Sequence, residues 1–168
     1  NIIFFPHHLG QKKPGVANTP HIIKNMLHPN RNIFFNIPCK KNLYGNLDHL
    51  YKINNSIPTP KINIGGDHSM ALGTVVSSLC RYPNMKLIWI DAHPDINTYK
   101  ESKSKNLHGM PLSYLTGLDS DNRFEYQNNK LDFKNLLYIG IRDIDEFESN
   151  IIKKYKIKYI SPEQLNNN

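Results

Sequence analysis

The feature that most constrains this chain is an alternation of strand, helix and strand at its centre, KINIGGDHSMALGTVVSSLCRYP at 61 to 83 followed by MKLIWID at 85 to 91. Leu87 to Ile90 is an unbroken apolar run, too short for a helix and without the polar alternation of a sheet that faces water. The preceding strand stops at Gly65-Gly66, and the spacing of Met70, Leu72, Val75, Val76 and Leu79 predicts a helix from about Ser69 with those residues as its buried side. Parallel neighbours can be joined only by a crossover, so apolar strands separated by a helix predict an α/β fold with a parallel sheet covered on both faces.

The flanking segments extend the same pattern. NIIFF at 1 to 5 and NIFFNI at 32 to 37 read as strands. Between them TPHIIKNMLH predicts a helix capped by Thr19, with Pro20 in its first turn and Ile22, Ile23, Met26 and Leu27 on its apolar side. Residues 38 to 60 are turn-rich, with Pro38, Gly45, Pro58 and Pro60, and leave room for a short helix around LDHLYKI. Further on, MPLSYLTGL reads as a short helix, 119 to 135 as polar loop, NLLYIGIRDID as a strand, and FESNIIKKYKIKYIS as a helix and a strand. A chain of 168 residues is the size of one domain, here 1 to 168, and buries roughly 70% of the surface its unfolded form exposes.

Charge and cysteine usage narrow the classes of function. The net charge of +7 permits nucleic-acid binding, yet Lys12-Lys13, Lys40-Lys41 and Lys153-Lys154 are short and far apart, which reads as a solvated basic surface. No run approaches the ~18 apolar residues of a membrane span, and the opening NIIFFPHHLG lacks the basic start of a signal peptide. Cys39 and Cys80 form neither a CxxC pair nor a disulfide framework, so a reducing cytoplasmic setting is expected, with Cys80 a small buried apolar residue.

The chemistry lies where apolar strands end. Asp91, His93 and Asp95 occupy every second position after Ile90, and would converge on one side if the extended geometry continued. Such sheets bind ligands beyond their carboxyl ends. Converging carboxylates there require a compensating cation, and the mixed carboxylate and imidazole set suits Mn, Fe, Co or Zn. GGDHS at 65 to 69 brings Asp67 and His68 to the same edge; taken alone it is a turn with a helix cap more often than a ligand.

GGDHS, DAHPDIN and NLHGMPLSYLTG, in that order, resemble the ureohydrolases, and among them the arginases. The likeness extends to GQKKPGVANTP at 10 to 20 and LLYIGIRDIDEFE at 136 to 148. It implies a three-layer α/β/α sandwich with a mostly parallel sheet, a homo-oligomer, and a binuclear Mn²⁺ site. In that site His68 binds the first metal, Asp91 bridges, His93 binds the second and Asp95 the first, with a water between the ions attacking the guanidinium carbon of L-arginine. By the same resemblance His108 shuttles protons and acts in catalysis with Asp95. Asn97, Ser104 and Asn106 receive the substrate carboxylate, and Asp145 and Glu148 the α-amino group. Asn97 and HGMP favour arginase over agmatinase.

The pattern departs from the family in two places. Lys105 stands where arginases often have Gly. The third block, a strand end supplying two further aspartates, has no counterpart up to Asn168. A second metal would then bind more weakly, and a sheet edge would be left open. The expected function is arginine hydrolysis to ornithine and urea. A catalytically silent arginase homologue acting by binding, and an agmatinase-like hydrolase, are the alternatives.

Overall fold

The computed structural model describes residues 1–27, 34–121, 124 and 129–166. Strand β1 (Ile2–Phe5) is apolar throughout and buried at every position. It runs between β2 (Phe34–Asn36) and β3 (Ile62–Gly65), both parallel to it, with Phe4 opposite Asn36 and Ile64. A second parallel sheet has the order β4 (Leu87–Ile90), β5 (Leu136–Ile139), β6 (Lys158–Ile160), with Trp89 opposite Tyr138. Helices α1 (Thr19–Met26), α2 (Leu43–Ser56), α3 (Ala71–Arg81), α4 (Pro111–Thr116) and α5 (Glu146–Lys154) carry the chain from each strand to the next, and α6 (Pro162–Asn166) follows β6. This is the expected α/β class, parallel sheets with flanking helices.

Its arrangement differs from the sequence reading in instructive ways. One continuous sheet was expected, with the strands that end in GGDHS and DAHPD adjacent. Among the described residues β3 and β4 share no ladder, because β4 pairs instead with β5, some fifty residues later in the chain. Coverage on both faces holds for β1 but not for β4. Trp89 is buried, whereas its neighbours Ile88 and Ile90 are 57% and 75% exposed. An edge strand with one open face looks the same in sequence as a buried one when every residue is apolar.

Helix α3 follows the expected spacing: Leu72, Val76 and Leu79 are fully buried, with Met70 and Val75 partly so. These residues share one apolar core with Leu47 and Leu50 of α2, and each such burial contributes roughly 1.5–3 kcal/mol. Helix α2 itself is longer than the turn-rich reading of 38 to 60 allowed. Asn42 caps it by accepting from Gly45 N at 3.1 Å, and two of its inward positions are Asn46 and Asn54, buried polar residues that mask the apolar period. Both are satisfied: Asn46 Nδ2 donates to Lys40 O at 2.7 Å and Asn54 Nδ2 to Leu50 O at 3.0 Å.

Thr19 does not cap α1, since a 3₁₀ turn over Pro14–Asn18 leads directly into that helix, and Ile22 and Met26 face outwards. Cys80 is half-buried rather than buried, and Cys39 is likewise a free thiol, pushed up to about 11 by burial and by the Asp67 charge. The expected strand NIFFNI begins outside the described residues, as does part of the loop at 119 to 135. No described helix is long and apolar enough to cross a membrane.

Candidate metal centre

The ends of β3 and β4 meet although the strands do not pair. The ladder of β4 runs one residue past Ile90, where Asp91 N donates to Ile139 O at 3.1 Å, and then the chain bends. Asp95 has a left-handed backbone, φ 49°, which aspartate tolerates better than most residues. The extended geometry expected for 91 to 95 therefore does not hold. Three other contacts fix the turn: Tyr138 Oη donates to Pro94 O at 2.9 Å, Leu112 N to Asp95 O at 3.0 Å, and Ile96 N to Glu148 Oε1 at 3.3 Å.

This turn places Asp95 against His68. Nδ1 of His68 lies 2.7 Å from Asp95 Oδ2 and 3.1 Å from Asp91 Oδ2, and one donor atom from each of the three falls within 4.8 Å of the others. His93 stands outside that cluster. Its Nδ1 is 3.5 Å from Asp91 Oδ1 and its Nε2 3.3 Å from Asp143 Oδ2. Asp143 was not singled out in the sequence, although it lies four residues beyond β5, on the side of the sheet where strands of this kind gather ligands. Trp89, the one tryptophan of the chain, stacks beneath His68 at 4.2 Å.

Asp67 is not a ligand in this arrangement but a buried pin. It accepts from Gly10 N at 3.0 Å, Ser69 N at 2.9 Å and Ser69 Oγ at 2.5 Å, so the helix-cap alternative describes it. Gly66 has to be glycine here, because a Cβ would sit 1.8 Å from His7 O. Gly10 in turn holds His108: its carbonyl accepts from His108 N at 3.1 Å and faces His108 Nδ1 at 3.2 Å. A carbonyl can only accept, so Nδ1 carries the proton and the neutral ring keeps its lone pair on Nε2.

Burial pulls the His68 imidazole down, but the bond to Asp95 and the charges of Asp95, Asp91 and Asp67 outweigh it and hold His68 above its usual range. Burial also pushes Asp95 up, against the opposing pull of His68. Both shifts favour a proton on this pair, and a cation binding there would compete with it. Two carboxylate oxygens and an imidazole nitrogen converging on one point fit a borderline-to-hard divalent ion.

Beside this cluster opens a cleft of about 680 Å³ bordered by His93, Asp95, Asn97, Ser104, His108, Asp145 and Glu148. Asn106 borders a separate recess of about 190 Å³ with Lys105 and Tyr44. Asp145 and Glu148 form the capping box of α5: Asp145 Oδ1 accepts from Glu148 N at 2.8 Å and Glu148 Oε2 from Asp145 N at 3.3 Å. Asn97 Nδ2 donates to Asp145 Oδ2, while Asn97 Oδ1 is buried without a partner. Burial and the Asp145 charge push Glu148 up to about 7, against the pull of the amides of Asp145 and Ile96. The spacing Asp145-x-x-Glu148 ahead of a helix is the sequence signature of a capping box, a signal that both acids are engaged with backbone which the sequence reading did not use.

The model of the arginase family matches residues 2–168, and the chain belongs to that family. It is 44% identical over 105 residues to the arginase of Saccharomyces cerevisiae, a match that takes in 60% of this chain and 32% of that one. The arginase of Entamoeba histolytica, solved in complex with L-ornithine, superposes with a TM-score of 0.88 at 28% identity, covering 99% of this chain and 66% of that chain. Formimidoylglutamase from Bacillus subtilis, at 15% identity and a TM-score of 0.78, shares the fold alone. The chain thus spans about a third of the curated relative and about two thirds of the solved one.

Proposed function

We propose that this chain forms part of the site of a metal-dependent hydrolase that converts L-arginine to ornithine and urea. The observation that carries the reading is one of charge. The chain is +7 overall, yet its cleft is bordered by five carboxylates, Asp95, Glu101, Asp145, Glu146 and Glu148, against Lys103 alone. A cleft of that sign beside a cluster of cation ligands suits a substrate with a cationic head and an α-ammonium. Ornithine, seen on the Entamoeba relative, is the product such a cleavage leaves behind.

His68, Asp91 and Asp95 would hold the first ion, proposed as Mn²⁺, and His93 is the donor available to a second. A cation bound there supplies a Lewis acid that makes water acidic enough to attack at neutral pH. The chain's own residues do the rest. The acidic wall orients the guanidinium, and the water oxygen joins its carbon to become the oxygen of urea. The Nε2 lone pair of His108 takes a proton from that water as the new bond forms, the bond from the carbon to the δ-nitrogen breaks, and His108 hands the proton on to the departing amine, which also receives the remaining hydroxyl proton as urea forms. At the other end of the substrate, Asn97 offers its second N–H and Ser104 its hydroxyl to the carboxylate, while Asp145 and Glu148 face the ammonium. Asn106 is separated from the cleft and acts through the loop it ends.

A second reading, a homologue that binds a cation without hydrolysis, is favoured by one observation: three donors converge and His93 stands apart. The test is calorimetry of Mn²⁺ binding and urea release from L-arginine and agmatine, for the chain and for Asp91→Asn. Arginine turnover lost with the substitution supports the proposal. Cation binding without urea selects the second reading, and indifference of both signals to Asp91→Asn defeats either.

A further inference from the structure

The loop that carries Ser104 and Asn106 is closed by a lysine. Lys105 has a left-handed backbone, φ 56°, a conformation that side chains other than Gly, Asn and Asp seldom adopt. Its ammonium donates to Tyr99 O at 2.5 Å and Lys100 O at 3.0 Å, two carbonyls in a turn, and lies 5.0 Å from the centre of the Tyr99 ring. The same closure shows in the backbone: Lys105 N donates to Ser102 Oγ at 3.2 Å, Asn106 N to Ser104 Oγ at 3.2 Å, and Ser102 N to Thr98 O at 2.9 Å.

We infer that Lys105 is a positioning residue: its ammonium ties residue 105 back to residues 99 and 100 and so holds Ser104 at the wall of the cleft. Three features support this. An ammonium has three donors and can serve both turn carbonyls at once. The ring of Tyr99 beneath it adds a cation–π attraction that a neutral side chain would lose. The left-handed backbone turns the side chain of Lys105 towards the neighbouring recess while Ser104 borders the cleft. A strained backbone persists where surrounding contacts over-determine it, and here those contacts are made by the strained residue itself.

The inference rests on the reading of this loop as the one that meets the substrate carboxylate, and the experiment separates the two. Hydrogen exchange of residues 98–106 is followed in the chain, in Lys105→Met and in Lys105→Arg, beside calorimetry of Mn²⁺ and of L-arginine on the Mn²⁺-loaded protein. In Lys105→Met the loop amides should exchange about tenfold faster and L-arginine should bind about tenfold more weakly, with Mn²⁺ affinity and melting temperature unchanged. Lys105→Arg, which keeps a cation and donors, should recover most of both. Unchanged exchange in Lys105→Met overturns the clamp, and an open loop with unaltered arginine affinity overturns the positioning role. A parallel fall in Mn²⁺ affinity and melting temperature would make Lys105 a general support of the fold, which also overturns it. If the unsubstituted chain binds no L-arginine, the proposed function fails, while the exchange data still decide whether the ammonium holds the loop.

Discussion

Glu148 should make the metal-free chain lose stability as pH rises through neutrality, and Glu148→Gln should remove most of that loss. The residue is 7% exposed and its carboxyl pKa is raised from 4.5 to about 7, first by burial. Between those values the folded chain keeps a proton that the unfolded chain releases. The folded state then binds more protons, and stability falls with rising pH. At ~1.36 kcal/mol per pKa unit the full shift corresponds to about 3 kcal/mol, and screening by water at the cleft reduces it to about 2 kcal/mol. His68 and Asp95 are also raised, and their contributions run the same way, but both remain in the variant. Thermal unfolding in a chelator at pH 5 and pH 8 should therefore show Glu148→Gln gaining about 4–8 °C on the parent chain between the two conditions. An equal difference at both pH values would refute the reasoning. The same titration bears on the proposed function, since an ionised Glu148 is the form that attracts an α-ammonium, and L-arginine affinity should rise as pH passes 7.

Three further outcomes are expected. Asp67→Ala leaves the amides of Gly10 and Ser69 without their acceptor and should lower stability by about 2–4 kcal/mol in urea unfolding, with an unchanged midpoint counting against the pin. Asp143 is 81% exposed in its side chain, so Asp143→Ala should leave melting unaltered while weakening the affinity for a second Mn²⁺ about tenfold through a freed His93; unaltered metal binding would show that His93 needs no such partner. Ile90→Lys places a charge on the open face of β4, and size-exclusion chromatography should show less self-association than the parent chain, whereas equal elution would mean that this face stays solvated.

The sequence by itself determined what each segment is. Apolar runs gave β1 and β4, the run that stops at Gly65-Gly66 gave β3, the 3.6-residue spacing gave α3, and GGDHS and DAHPD placed His68, Asp91 and Asp95 at strand ends, because these signals are local and repeat at short periods. It also held the likeness to a family, since several motifs recur in a fixed order. Only the tertiary structure decided which strands pair, which face of β4 lies open, and which of the ionisable groups meet. Asp67 and His68 are neighbours in sequence, yet one is consumed by the amides of Gly10, 57 residues away, and of Ser69, and the other reaches Asp95. His93 turns aside because the chain leaves the strand at Asp91 and bends left-handed at Asp95. Asn46 and Asn54 hid α2, since a buried asparagine satisfied within the fold is indistinguishable in sequence from one in a turn. The contacts of Lys105 with Tyr99 and Lys100 belong with these, because they depend on where a backbone folds back on itself.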